Sequence, residues 1–215
     1  MKKISFILLV SVFITSAFSY KKPKILIIGD SISIGYTPFV KTYFSDKAIV
    51  FHNEGNAQHT GTGLEKIGKW LGDEHWDIIQ FNWGLWDLCY RHPESKEYGN
   101  RDKINGKPEF TIEEYASNLD SLVSIIKKKS KAKLIFVTTT YVPVDEPGRH
   151  TSDVKKYNDA AKEIMKKHNI AVNDIYQPSV SIHNQNGNGS KDVHYSKKGY
   201  EALSDLIIKF LEPNL

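Results

Sequence analysis

The chain has 215 residues, a formal net charge of +4 and 40% hydrophobic residues. That length and apolar content suit one well-cored domain, and the charge is too small to point to a nucleic-acid partner. The one cysteine, Cys89, excludes an intrachain disulfide and any thiolate metal signature; set in an apolar-aromatic stretch, it reads as a small core residue.

Residues 1–19 have the composition of an export signal. Lys2 and Lys3 form a basic start, Ile4 to Phe18 is apolar with only serine and threonine breaking it, and Ala17-Phe18-Ser19 offers small residues where a signal peptidase reads. The apolar run is short of the ~20 residues needed to span a bilayer. Cleavage before Tyr20 is expected. The mature chain, residues 20–215, is then secreted or periplasmic, without stable membrane association.

Strand signals then alternate with helical ones. Strands are expected at Ile25–Ile28, Ala48–His52, Asp77–Asn82, Lys133–Thr138 and Ile170–Asp174. Helices are expected near Thr62–Leu71, Ile112–Lys129, Ser152–Lys167 and Lys197–Leu211. Leu119, Leu122, Val123 and Ile126 have the spacing of a buried helix face. Thr111 with Glu114 fits a capping box, and Ser196 is a plausible helix start. Unbroken apolar strands separated by helices predict a parallel sheet covered on both sides, an α/β/α sandwich of about five strands. Tyr90–Phe110 and Ser181–Lys191 read as loops by composition.

Ser31 stands at the end of the first strand, in Gly29-Asp30-Ser31, on the edge where open α/β sheets bind ligands. A serine hydroxyl becomes a nucleophile only when a base takes its proton and a third group holds that base. Of the eight histidines, His194 in Asp192-Val193-His194, just before the last helix, lies on the same edge and brings its own carboxylate. Asp30 reads as structural, beneath the serine turn.

These blocks, with Gly199-Tyr200 after the histidine, resemble the SGNH (GDSL-type) hydrolase superfamily over Lys24 to Leu211. The resemblance implies a flavodoxin-like fold and ester hydrolysis with Ser31 as nucleophile, His194 as base and Asp192 orienting it, and no cofactor or metal. The expected partner is a small-molecule or polysaccharide ester. Two departures stand out. The family's Gly-x-Asn-Asp is Gly84-Leu85-Trp86-Asp87 here, and its Asp-x-x-His is shortened by one residue. For the oxyanion hole, Ser31, Gly55 or Gly61 could supply backbone N–H groups, and Asn82 or Trp86 a side-chain donor.

Trp83, Trp86 and Tyr90 are either core packing or a sugar-stacking surface beside Ser31. Arg149 faces the active edge by topology and is a candidate substrate contact. Arg91, His92 and Arg101 read as a solvated loop, with an anion site as the alternative. Acetyl esters on carbohydrate are the expected substrate. A non-catalytic glycan-binding relative, or a metal-dependent phosphoesterase using Asp30, Asp192 and His194, are the alternatives.

Overall fold

The computed structural model describes residues 21–215; the expected signal peptide, residues 1–19, lies outside them. Five parallel strands form the central sheet in the order β2-β1-β3-β6-β7. They are β1 (Lys24–Ile28), β2 (Ile49–His52), β3 (Ile78–Phe81), β6 (Lys133–Val137) and β7 (Ala171–Asn173). Register runs through Ile25↔Val50, Ile25↔Ile78 and Ile79↔Leu134. β1 and β3 are apolar almost without interruption because both faces of the sheet are covered.

The helices form two sets. α1 (Ser31–Tyr43) packs on α6 (Lys197–Leu211), and α6 on α5 (Tyr176–Asn186). α2 (Thr60–Leu71) packs on α3 (Ile112–Lys129), and α3 on α4 (Thr151–Lys167). The predicted face of α3, Leu119, Leu122, Val123 and Ile126, is wholly buried, each residue contributing roughly 1.5–3 kcal/mol of transfer free energy. The capping box forms as predicted: Thr111 Oγ1 accepts the Glu114 N–H and Glu114 accepts the Thr111 N–H. Cys89 is buried and unbonded to sulfur.

Three features differ from the sequence reading. α1 carries Gly35 and Pro38 in its interior, both poor helix residues, yet it is a full helix. Tertiary packing overrides propensity here, since Gly35 leaves room for the Tyr200 ring of α6. α5 takes up Ser181–Asn186, so only the second half of the expected loop is irregular. Its polar sequence is anchored by His183 and Ser179, which are both buried. The segment Tyr90–Phe110 is irregular as expected, but a two-residue ribbon stiffens it, β4 (Tyr90–Arg91) against β5 (Lys107–Pro108).

The chain passes from β1 through β2 at one edge, then back across to β3. The direction of strand progression therefore reverses between β1 and β3, which makes a crevice at their carboxyl ends. Ser31 follows β1 there.

Candidate active site

Ser31 is the first residue of α1. Asp30 caps that helix, its Oδ1 accepting the Ile32 N–H at 3.0 Å. Burial pushes the Asp30 carboxyl up, against the pull of that N–H bond and of nearby Arg149. Asp30 is thus the structural base of the serine turn. The Ser31 N–H sits in the first turn, where helical N–H groups lack intrahelical acceptors.

His194 reaches Ser31 from the far end of the chain. Ser31 Oγ lies 2.8 Å from His194 Nε2, and His194 Nδ1 lies 2.6 Å from Asp192 Oδ1. Asp192 Oδ1 also accepts the His194 backbone N–H at 3.0 Å. Partial burial raises the Asp192 carboxyl, but these bonds from His194 outweigh it and hold the group below the usual carboxylate range. With Asp192 ionised, Nδ1–H donates to it and Nε2 is left to accept the Ser31 hydroxyl proton. Behind the loop, buried His183 donates from Nε2 to the Asp192 carbonyl at 2.7 Å. Among the described residues no three His, Cys, Asp or Glu side chains are grouped as metal ligands.

A cavity of ≈ 490 Å³ opens over this array, bounded by Ser31, His194, Trp86 and Arg149 among others. Of the five oxyanion candidates, Ser31 and Trp86 line it, whereas Gly55, Gly61 and Asn82 do not. Gly55 is solvent-exposed at φ +70°, its carbonyl held by Asn53. Gly61 lies within the first turn of α2, packed toward Phe110. Asn82 donates its amide to the Val137 carbonyl at 2.7 Å, tying the end of β3 to that of β6.

The aromatic cluster divides. Trp83 is 1% exposed, covers Gly63 and donates from Nε1 to the Ala57 carbonyl, so it belongs to the core and not to a substrate surface. Tyr90 also points away from the cavity, its hydroxyl donating to Asp153 Oδ2 at 2.9 Å and its ring set edge-on to His150. Trp86, three residues on from Trp83, turns into the cavity with the Arg91 guanidinium over its ring at 5.3 Å. Between the two, Gly84 adopts φ +142°, where any Cβ would strike Thr139 Oγ1. Asp87, which follows Trp86, is buried. Its Oδ1 accepts from the Thr60 N–H at 2.9 Å and hydroxyl at 2.5 Å.

Arg91 and Arg101, expected in a solvated loop, border the cavity instead, and Tyr98, which the sequence did not single out, joins them. Their loop folds back because Tyr90 N–H donates to Gly148 and Lys103 N–H to Pro147. Only the recurrence of arginine within that polar stretch could have signalled it.

The model of the GDSL-like lipase/acylhydrolase family matches residues 27–202. The chain belongs to that family. This GDSL-like hydrolase is therefore an ester-hydrolysing enzyme, and its sheet and helices are those of SGNH hydrolases. No curated protein matches its sequence. A lipase/acylhydrolase from Enterococcus faecalis superposes with a TM-score of 0.71 at 22% identity, over 90% of this chain and 97% of that one. An acetylxylan esterase from Geobacillus stearothermophilus gives 0.67 at 18%, over 87% and 93%. A GDSL-like lipase from Bacteroides thetaiotaomicron gives 0.64 at 17%, over 89% of both chains. At these identities the likeness is one of fold.

Proposed function

We propose that this hydrolase is an exported serine esterase that removes acetyl groups from carbohydrate. The observation that carries the mechanism is the continuous array from Asp192 through His194 to Ser31, with separations of 2.6 and 2.8 Å. Ser31 Oγ attacks the ester carbonyl while His194 Nε2 takes its proton. The tetrahedral oxyanion is held by the Ser31 N–H and the Trp86 indole N–H, the two donors of the candidate set that share the cavity. Collapse breaks the bond to the alcohol, which leaves with the proton from His194. Water, deprotonated by the same nitrogen, then releases the acid and restores the serine. Asp192 keeps the imidazole in one tautomer and stabilises its charged form.

Acetyl and carbohydrate specificity draws support from the acetylxylan esterases among the structural neighbours and from the Trp86 ring on the cavity wall. Export rests on Lys2, Lys3 and the apolar run to Phe18. Acetate release over a panel of acetylated polysaccharides tests the activity. Turnover in the wild type and none in Ser31→Ala supports it; equal release by both overturns it. Binding without turnover favours the glycan-binding alternative. The N-terminus of protein recovered outside the cell should be at or near Tyr20; an intact N-terminus in the membrane fraction overturns the export reading.

A further inference from the structure

The cavity over Ser31 is asymmetric in charge. Four permanent cations line it, Arg91, Arg101, Arg149 and Lys191, against one carboxylate, Asp192, which is committed to His194. The arginines are fixed in place, unlike ordinary surface charges. Arg149 is 6% exposed, yet borders the same cavity as the Ser31 hydroxyl. Its Nε donates to the Leu85 carbonyl at 2.6 Å and its Nη1 to Glu146 at 2.7 Å. Arg101 donates from Nε to Tyr98 and from Nη1 to the same Glu146 oxygen at 2.9 Å. Glu146 is fully buried and its second oxygen accepts the Gly148 N–H, so one carboxylate serves two guanidiniums. The third arginine, Arg91, is paired with Glu109 and clamped to the Gly99 carbonyl.

An arginine has five N–H donors. Among the described residues, the hydrogen bonds of Arg149 and Arg101 use Nε and Nη1 only, and neither Nη2 is among the buried polar atoms without a partner, so both stay open to solvent. The bonds to Leu85 and Glu146 hold the Arg149 fork in one orientation at the cavity wall, so an acceptor arriving there meets donors already set in place. The fork suits a planar or tetrahedral oxyanion, and the low-dielectric wall strengthens the attraction.

We infer that the carbohydrate ester cleaved here bears an anionic group, a carboxylate or a sulfate, that docks on the Arg149–Arg101 pair while its acyl carbon faces Ser31. The inference rests on the esterase reading above and adds the substrate class. Uronates and sulfated sugars share this chemistry, so both belong in the test.

The experiment compares acetylated methyl glucuronoside, acetylated glucose 6-sulfate and acetylated methyl glucoside, with p-nitrophenyl acetate as an uncharged reference ester. In the wild type, kcat/KM on one of the acidic sugars should exceed that on the neutral sugar at least tenfold. Whichever acid is preferred identifies the source of the anion. Arg101→Gln and Arg149→Lys should each reduce the acidic-to-neutral ratio at least tenfold, mainly through KM. Arg101 is half-buried, so its variant keeps the test open if the Arg149 variant does not fold. Calorimetry on Ser31→Ala protein provides a readout without turnover, in which the acidic sugar should bind at least tenfold tighter than the neutral one. Hydrolysis of p-nitrophenyl acetate with an acidic-to-neutral ratio near one overturns the inference and leaves the esterase reading standing. No hydrolysis of any ester, with tighter binding of the acidic sugar, overturns the esterase reading and keeps the anion site. A preference that survives Arg101→Gln overturns its assignment to this pair.

Discussion

His194 and Asp192 are separated by one residue, and a single carboxylate oxygen, Asp192 Oδ1, holds both the ring Nδ1 and the backbone N–H of His194. An aspartate accepting the N–H two residues on is a local turn the side chain makes by itself. That turn lets the shortened spacing reach the same imidazole nitrogen that a longer loop would reach. Asp192→Asn keeps an oxygen for the backbone N–H but loses the charge. Its kcat on p-nitrophenyl acetate should fall at least ~10²-fold, and that of His194→Ala further still. Near-normal turnover of Asp192→Asn would reduce the site to a Ser31–His194 pair.

Ser31→Ala should unfold within about 1 kcal/mol of the wild type in urea, because the hydroxyl's one side-chain partner is His194. A serine-directed phosphonate should label the wild type at Ser31 and leave the variant unlabelled. Labelling elsewhere would identify a different nucleophile.

Trp83 and Trp86 should separate cleanly. Trp83→Ala removes a buried ring and should cost about 3–5 kcal/mol in equilibrium unfolding. Trp86→Ala should change stability far less, but lower kcat by about 10²-fold or more through loss of an oxyanion donor. If Trp86→Ala is fully active, the indole is not that donor.

Asp87 gives the fold a pH dependence. Burial pushes its carboxyl up to about 7, despite the two bonds from Thr60. The unfolded chain releases this proton near 3.8, so between there and about 7 the folded state binds more protons and stability falls as pH rises. The loss amounts to something on the order of 4 kcal/mol and is complete above the folded value. Asp87→Asn also places an amide where Asp87 Oδ2 has no partner. Urea unfolding at pH 4.5 and 8 should show the variant gaining on the wild type as pH increases. A constant difference between them would place the Asp87 proton elsewhere.

The parts of the fold legible in the sequence were those where local pattern and tertiary role agree. The apolar runs of β1, β3 and β6 can only be covered strands, and Thr111 with Glu114 marks the start of α3 by its own hydrogen bonds. Ser31 was legible because it follows β1, and His194 because it stands just before α6 with Asp192 two residues away. α1 was hidden by Gly35 and Pro38, and the space that Gly35 leaves is filled by Tyr200, over 160 positions away. Trp83 and Trp86 are alike in the sequence. Gly63 makes a space for one ring, and Arg91 covers the other. Arg149 was legible as a residue of the active edge, but its pairing with Arg101 was not, because Glu146, which gathers both, lies in a different loop from Arg101.

Ser31 and His194 lie 163 residues apart, on the first helix and on the loop that opens the last one, and those two helices pack together. Catalytic competence is thus a property of the finished polypeptide. A nascent chain that has not yet reached His194, or a proteolytic product clipped after α5, retains the serine and every central strand but has no general base. Such fragments cannot attack esters in the compartment where they are made.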